Sequence, residues 1–245
     1  MDSTSQVTRL KGTKVQQDKL GQPLPREFYA RDPREVSRDL LGKILFRRDD
    51  TSLRAGRIVE VEAYLGEDDP AAHAAAGKTL RNAVLFGPPA HSYVYFIYGN
   101  HYCFNVSCLP DGIAGGVLFR ALEPLFGVEA MAQARGISVY ALSDLPQLTS
   151  GPGRLAEAFG ITRERDNGKD VTSTKSDLWI ADDGYRPAQI VTTTRIGITK
   201  AAKLPLRYLI RKPICFRSEN GHVGAGALTR PVERSSTTCR PKINT

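Results

Sequence analysis

The chain has 245 residues, 41% hydrophobic and 8% aromatic, with 34 Lys and Arg against 26 Asp and Glu and a net charge of +8. That size allows one large domain or two small ones, and the composition is that of a soluble globular protein with a real core. The positive excess is mostly Arg, 23 against 11 Lys, which favours an acidic partner, nucleic acid ahead of anionic membrane, because a planar guanidinium forks onto phosphate. No apolar run reaches the ~20 residues of a membrane span, and Met1 to Gln22 lacks the apolar segment of a secretory signal. A soluble cytoplasmic or nucleoid protein is the expectation. Cys103, Cys108, Cys215 and Cys239 include no CxxC pair, so they are expected to be reduced thiols and neither a zinc site nor a disulfide framework.

Residues 1–25, rich in Lys, Gln, Thr and Ser, read as a mobile basic tail. The domain proper is placed at 26–229, and a basic Ser/Thr/Arg/Pro tail at 230–245. Asp32-Pro33 is an N-cap followed by proline at the first helical position, where a missing N–H costs nothing. Val36, Leu40 and Leu41 form the apolar stripe of a short helix closed by Gly42. A strand over 43–48 and the polar turn 49–52 follow, then strands at 56–64, 92–98, 102–108 and 116–122. Tyr98-Gly99-Asn100-His101 joins the middle pair as a hairpin, its Gly-Asn centre suited to positive φ. Helices are expected at 124–135 and 154–159, a surface loop at 162–175, and strands at 178–181, 189–194, 206–210 and 214–217. Contiguous strands argue for an α+β fold: a single domain with an antiparallel sheet and short helices.

Within the second strand Glu60 and Glu62 project from one face, with Ile58 and Tyr64, while Val59, Val61 and Ala63 turn toward the core. A solvated sheet surface is the better account of such a pair taken alone; Tyr64 beside it and His73 beyond a short turn shift the reading toward a site. Tyr93, Tyr95 and Ile97 share one face of the hairpin strand, and Tyr98 abuts the turn. A ring at a hairpin tip has no core to enter, and such rings act as wedges that unstack base steps. Asn105 lies among small residues on the partner strand, where an amide can both donate and accept. His73, His91, His101 and His222 show no metal-ligand spacing, and the glycine-rich pieces lack phosphate-loop or dinucleotide patterns. Neither a metal nor a cofactor is expected. The residues alone leave open a nucleic-acid hydrolase, a non-catalytic nucleic-acid binder, and a metal-assisted hydrolase built on Glu60, Glu62 and His73.

Taken in order, 56–66, Ala71-Ala72-His73, Arg81-Asn82, 93–99, Asn105 and 118–124 resemble the alkyladenine (3-methyladenine) DNA glycosylase family. Ser150-Gly151-Pro152, 195–198 and 205–208 fit it as well, so the likeness spans about 26–217. It implies a curved antiparallel sheet with a protruding hairpin that enters the minor groove. It implies a monofunctional enzyme that flips a damaged purine out of double-stranded DNA, acting as a monomer, in the nucleus if the source is eukaryotic. Glu62 would be the general base and Arg120 would orient the water. Tyr64, His73 and Tyr95 would sandwich the base, and Asn105 would exclude purines with a 2-amino group. Tyr98 would fill the gap in the duplex, with Arg81, Asn82, Gly99 and Asn100 contacting DNA. The sequence departs from the family at Asn100 (usually Met), Ala74 (Ser) and Leu80 (Pro), positions that bear on substrate choice and wedge geometry.

Overall fold

The structure, a computed structural model, describes residues 21–211 except 98 and 141. Residues 1–20 of the expected tail 1–25, the expected tail 230–245, the strand at 214–217, Cys215, Cys239 and the ring of Tyr98 lie outside the described residues, whereas Leu24 of that first tail is buried and its N–H donates to the Ile180 carbonyl at 2.8 Å. The long strand β2 (Leu53–Tyr64) is the spine of a curled, all-antiparallel sheet. One edge of β2 pairs with β5 (Gly116–Phe126). Its other edge is shared by β1 (Ile44–Arg48) near the start and β8 (Arg207–Ile210) near the end. Beyond β5 lie β4 (His101–Ser107) and β3 (Ser92–Ile97); beyond β1 lies β6 (Leu178–Ala181); and β7 (Ile190–Thr193) pairs with β8. This is the expected α+β arrangement.

Short helices cover the sheet: α1 (Arg26–Tyr29), α2 (Pro33–Leu40), α3 (Val128–Arg135), α4 (Leu145–Thr149), α5 (Pro152–Ala158) and α6 (Arg163–Asp166). The main core joins Val36 and Leu40 of α2 and Leu155 and Phe159 at α5 to Ile58, Val61, Ala63, Phe104 and Phe119 of the sheet. Alternation along β1 serves two layers. Leu45 enters the main core, while Ile44 and Phe46 form a second cluster with Trp179, whose ring stacks on Phe46 at 5.0 Å. At α2 the Asp32 carboxylate accepts the Arg34 N–H at 2.7 Å, satisfying a donor that has no partner within the helix. Asp32→Ala is expected to cost about 1 kcal/mol, read as a lower urea midpoint with an unchanged slope.

Four local expectations are corrected. The second strand begins at Leu53, ahead of residue 56, because 53–57 pair with β1. The strand after residue 116 runs on through Pro124 to Phe126, and the helix starts only at Val128, after Gly127 at φ 76°. The Gly56–Pro124 pairing sits at a register shift, the setting in which a sheet tolerates a residue lacking N–H. The segment 162–175 is no surface loop. It contains α6, capped by the Thr162 hydroxyl, and carries Asp166, fully buried against Arg47 at 2.6 Å. Finally, Ile58 does not share a face with Glu60 and Glu62. Register shifts at Val59 in β2 and at Arg120 in β5 reverse the alternation, sending Ile58 into the core with Val61 and Ala63.

Candidate active site

Where β2, β3, β4 and β5 lie side by side, a cavity of about 560 Å³ opens, within the range of small-molecule sites. Tyr64, His73, Tyr95, Asn105 and Arg120 line it, together with Tyr93, Leu118, His101, the segment 150–154 and the segment 196–198. The rings form a cluster. His73 meets Tyr95 edge-on at 4.5 Å, and Tyr93 lies 5.5 Å from Tyr95. His73 Nδ1 is 2.8 Å from the Tyr93 hydroxyl, which fixes the imidazole plane. Burial, helped by the Arg81 charge, holds the His73 pKa below its ordinary value, so the ring is mainly neutral at pH 7. Burial pushes the Tyr95 hydroxyl well above the usual phenol range, and burial with the Glu62 charge does the same to Tyr64, so both stay protonated. Asn105 stands opposite Tyr93 and donates Nδ2 to its carbonyl at 3.1 Å, which fixes the amide's orientation.

Glu62 is not itself a lining residue. Its side chain is 0% exposed and lies just behind the wall, held by three groups. The Tyr64 hydroxyl donates to Oε2 at 3.1 Å, the Ile196 N–H donates to Oε1 at 2.9 Å, and Arg120 Nη1 stands 3.2 Å from Oε1. Two of these belong to residues of β2 and β5 and the third comes from the segment after β7, so tertiary folding assembles the clamp. Burial raises this carboxyl above the ordinary glutamate value, with Arg120, the Ile196 N–H, Tyr64 and Arg195 opposing but not cancelling that penalty. A carboxylate so tuned is, once ionised, a better proton acceptor than a free one.

Behind this clamp Arg195 and Asp69 form a fully buried, two-pronged ion pair at 2.5 and 2.8 Å. Arg195 also donates to the Ala63 carbonyl at 3.1 Å and lies 4.6 Å from the centre of the Tyr64 ring. Residue types and spacing had not singled out Arg195 or the Ile196 N–H as site groups; their only signal was the short 195–198 match to the family.

The residues expected to touch DNA are placed differently from one another. Arg81 is exposed, its guanidinium 6.0 Å from the Tyr95 ring, and Leu80 beside it is 100% exposed. Asn82 is buried, with Oδ1 accepting the Thr79 N–H at 2.6 Å and Nδ2 donating to the carbonyls of His73 and Gly77. Its side chain thus braces the loop that carries His73 and Arg81. Gly99 and Asn100 are exposed between Ile97 and His101, the last pair of the β3–β4 ladder. That connection takes positive φ at Gly99, 74°, and not at Asn100, unlike the expected Gly-Asn centre. Among the described residues no three His, Cys, Asp or Glu side chains gather as metal ligands would, and no helix is long and apolar enough to cross a membrane. Cys103 and Cys108 are buried free thiols.

Comparison with known proteins assigns the class. The profile of the Methylpurine-DNA glycosylase (MPG) family matches residues 27–213. A protein of Koribacter versatilis (strain Ellin345) is 65% identical over 188 residues, covering 77% of this chain and 89% of its own, and is named "Putative 3-methyladenine DNA glycosylase". Relatives under the same name in Burkholderia cenocepacia (strain HI2424) and Methanoculleus marisnigri (strain ATCC 35101 / DSM 1498 / JR1) are 48% and 47% identical. These cover 78% and 77% of this chain and 88% and 95% of their own length. The chain belongs to the methylpurine-DNA glycosylase family. It is therefore a DNA glycosylase, a DNA-repair hydrolase of glycosidic bonds whose partner is DNA.

Proposed function

We propose that the protein is a monofunctional glycosylase that excises alkylated or otherwise damaged purines from double-stranded DNA after turning the nucleotide out into the cavity. The observation that carries this reading is the buried Glu62 carboxylate, clamped by Arg120 at the wall of a cavity lined by Tyr64, His73 and Tyr95. Bond cleavage develops positive charge at C1′, which an adjacent carboxylate stabilises. The C1′–N bond breaks and the purine leaves with its electron pair. Water then bonds to C1′ and gives its proton to Glu62. The Tyr64 hydroxyl and the Ile196 N–H each hydrogen-bond one oxygen of that carboxylate and Arg120 is its ion-pair partner, which leaves acceptor capacity for the attacking water. No lysine lines the cavity among the described residues, which supports attack by water without a Schiff base.

Selection follows from the rings. A cationic alkylated purine stacks on neutral tyrosines with about 0.5–2 kcal/mol of cation–π attraction per ring, and a neutral His73 adds no repulsion. A normal base must also be unstacked and unpaired, at a cost that is smaller for a lesion. Asn105 filters the purine edge, Arg81 holds phosphate, Asn82 supports that loop, and Tyr98 with Gly99 and Asn100 enters the minor groove. The protein acts as a monomer wherever the chromosome lies.

A panel of duplexes, each with one modified purine, is expected to yield free methylated base and an abasic strand that breaks only on alkali treatment. Borohydride is expected to trap no protein–DNA adduct, and chelators to leave the rate unchanged. Tight, salt-sensitive binding with no base released from any duplex would instead identify a non-catalytic binder.

A further inference from the structure

Glu60 has no part in the scheme above, yet it stands in contact with its central pair. Its Oε1 accepts Arg120 Nε at 3.0 Å and Arg207 Nη1 at 2.9 Å. Arg207 is itself anchored, its Nε donating to the Thr194 carbonyl at 2.8 Å. A chain of alternating charge, Arg207–Glu60–Arg120–Glu62, therefore crosses β8, β2 and β5 and ends on the carboxylate read here as the base. The side chains of Glu60, Arg207 and Arg120 are 22%, 19% and 13% exposed. At that depth solvent damps charge–charge coupling less than at an open surface. The register makes the chain possible. Glu62 pairs with Arg207 across β8, and the opposed shifts at Val59 and Arg120 bring both glutamates to one guanidinium.

We propose that Glu60 is a positioning residue for hydrolysis: it anchors Arg120 by Nε so that Nη1 stays on Glu62, and its negative charge, partly balanced by Arg207, keeps Arg120 from wholly neutralising the base. The proposal rests on the reading of Glu62 as that base. Glu62 is faced by Tyr64 from its own strand, Arg120 from β5, Cys103 from β4, and Arg195 with the Ile196 N–H from the segment after β7. Arg207 faces it from β8, across the shared glutamate. Glu60 is the one carboxylate in this set besides Glu62 itself, so removing its charge has a predictable sign.

The test is single-turnover base release from a methylated-purine duplex under saturating enzyme, followed against pH, with DNA affinity measured separately. Glu60→Gln removes a neighbouring anion while its amide oxygen can still accept Arg120 Nε. The acid limb of the rate should move to lower pH by about half a unit or more, the plateau should fall about tenfold, and DNA affinity should stay within about threefold. Arg207→Gln removes a neighbouring cation and should move the limb the other way, to higher pH. Opposite displacements in the two variants support the proposal, and Arg207→Gln alone carries the test if Glu60→Gln fails to fold. Limbs that stay at the wild-type pH, whatever the loss in rate, mean a merely structural role and overturn it. So do displacements of the same sign. Wild-type protein that releases no purine overturns the underlying reading and this one with it; an active wild type with unmoved limbs overturns this one alone.

Discussion

Glu62→Gln is expected to slow single-turnover release of a methylated purine by a factor of about 10² to 10⁴, with no loss of folding stability. Both halves follow from the same burial. The carboxyl is raised because its charged form is desolvated more than Arg120, Arg195 and the two hydrogen-bond donors, the Ile196 N–H and the Tyr64 hydroxyl, compensate. The folded state thus holds the Glu62 proton more tightly than the unfolded chain does. That contribution favours folding at low pH and fades as pH rises through the raised folded value. In its ionised form the group is a net burden that a neutral amide removes, while Arg120 keeps its partner in Glu60 at 3.0 Å. Catalysis has the opposite sign, because only the ionised form accepts a proton from water. Wild-type rate should fall as pH drops through a value above that of ordinary glutamate, and this limb should vanish in the amide variant. Release rates measured against pH, with melting temperatures of both proteins at pH 7, check the pair. Undiminished release by the variant would remove Glu62 from the chemistry.

Asp69→Asn is expected to destabilise the fold by about 3–5 kcal/mol and to slow base release by more than the unfolded fraction explains. The amide keeps acceptors for the N–H groups of Leu65 and Ala71 but strips the charge opposite Arg195, whose side chain is 0% exposed. A buried guanidinium without its carboxylate is among the costliest single defects in a protein. Burial by itself would raise the Asp69 pKa, but the Arg195 hydrogen bonds and the two backbone N–H donors outweigh it, and the net direction is down. Its contribution to stability is therefore present at neutral pH and lost only as pH falls through that depressed folded value. The effect on catalysis travels along the chain: Arg195 precedes Ile196, whose N–H holds Glu62 Oε1 at 2.9 Å. Urea unfolding gives the first quantity and single-turnover release by the folded fraction gives the second. The Asp69→Asn, Arg195→Gln double variant should regain part of the stability, since no charge is then left unpaired.

Much of this was legible in one dimension because the signals were local. Asp32-Pro33 marked the start of α2, and alternation marked the strands. The ordered fragments from Gly56 to Pro124 pointed to the family and with it the aromatic set. Misreadings fell where a distant contact overrides a local preference. Pro124 looks like a helix start, but pairing with Gly56 draws it into β5. The polar run around Asp166 looks solvated, but Arg47 from β1 draws it inside.

Composition and chain order alone thus determined a basic α+β protein, and its acid, tyrosines and histidine pointed to a purine glycosylase only through their resemblance to that family. Only the tertiary structure decided that Glu62 lies buried just behind the cavity wall with its proton affinity raised, that Glu60 and Glu62 share one arginine, and that Asp69 and Arg195 brace the clamp from behind. The physical reason is that side-chain type and strand period are properties of neighbours in the chain. Desolvation, paired charges and register shifts depend on which distant strand arrives alongside, and no short-range pattern encodes that.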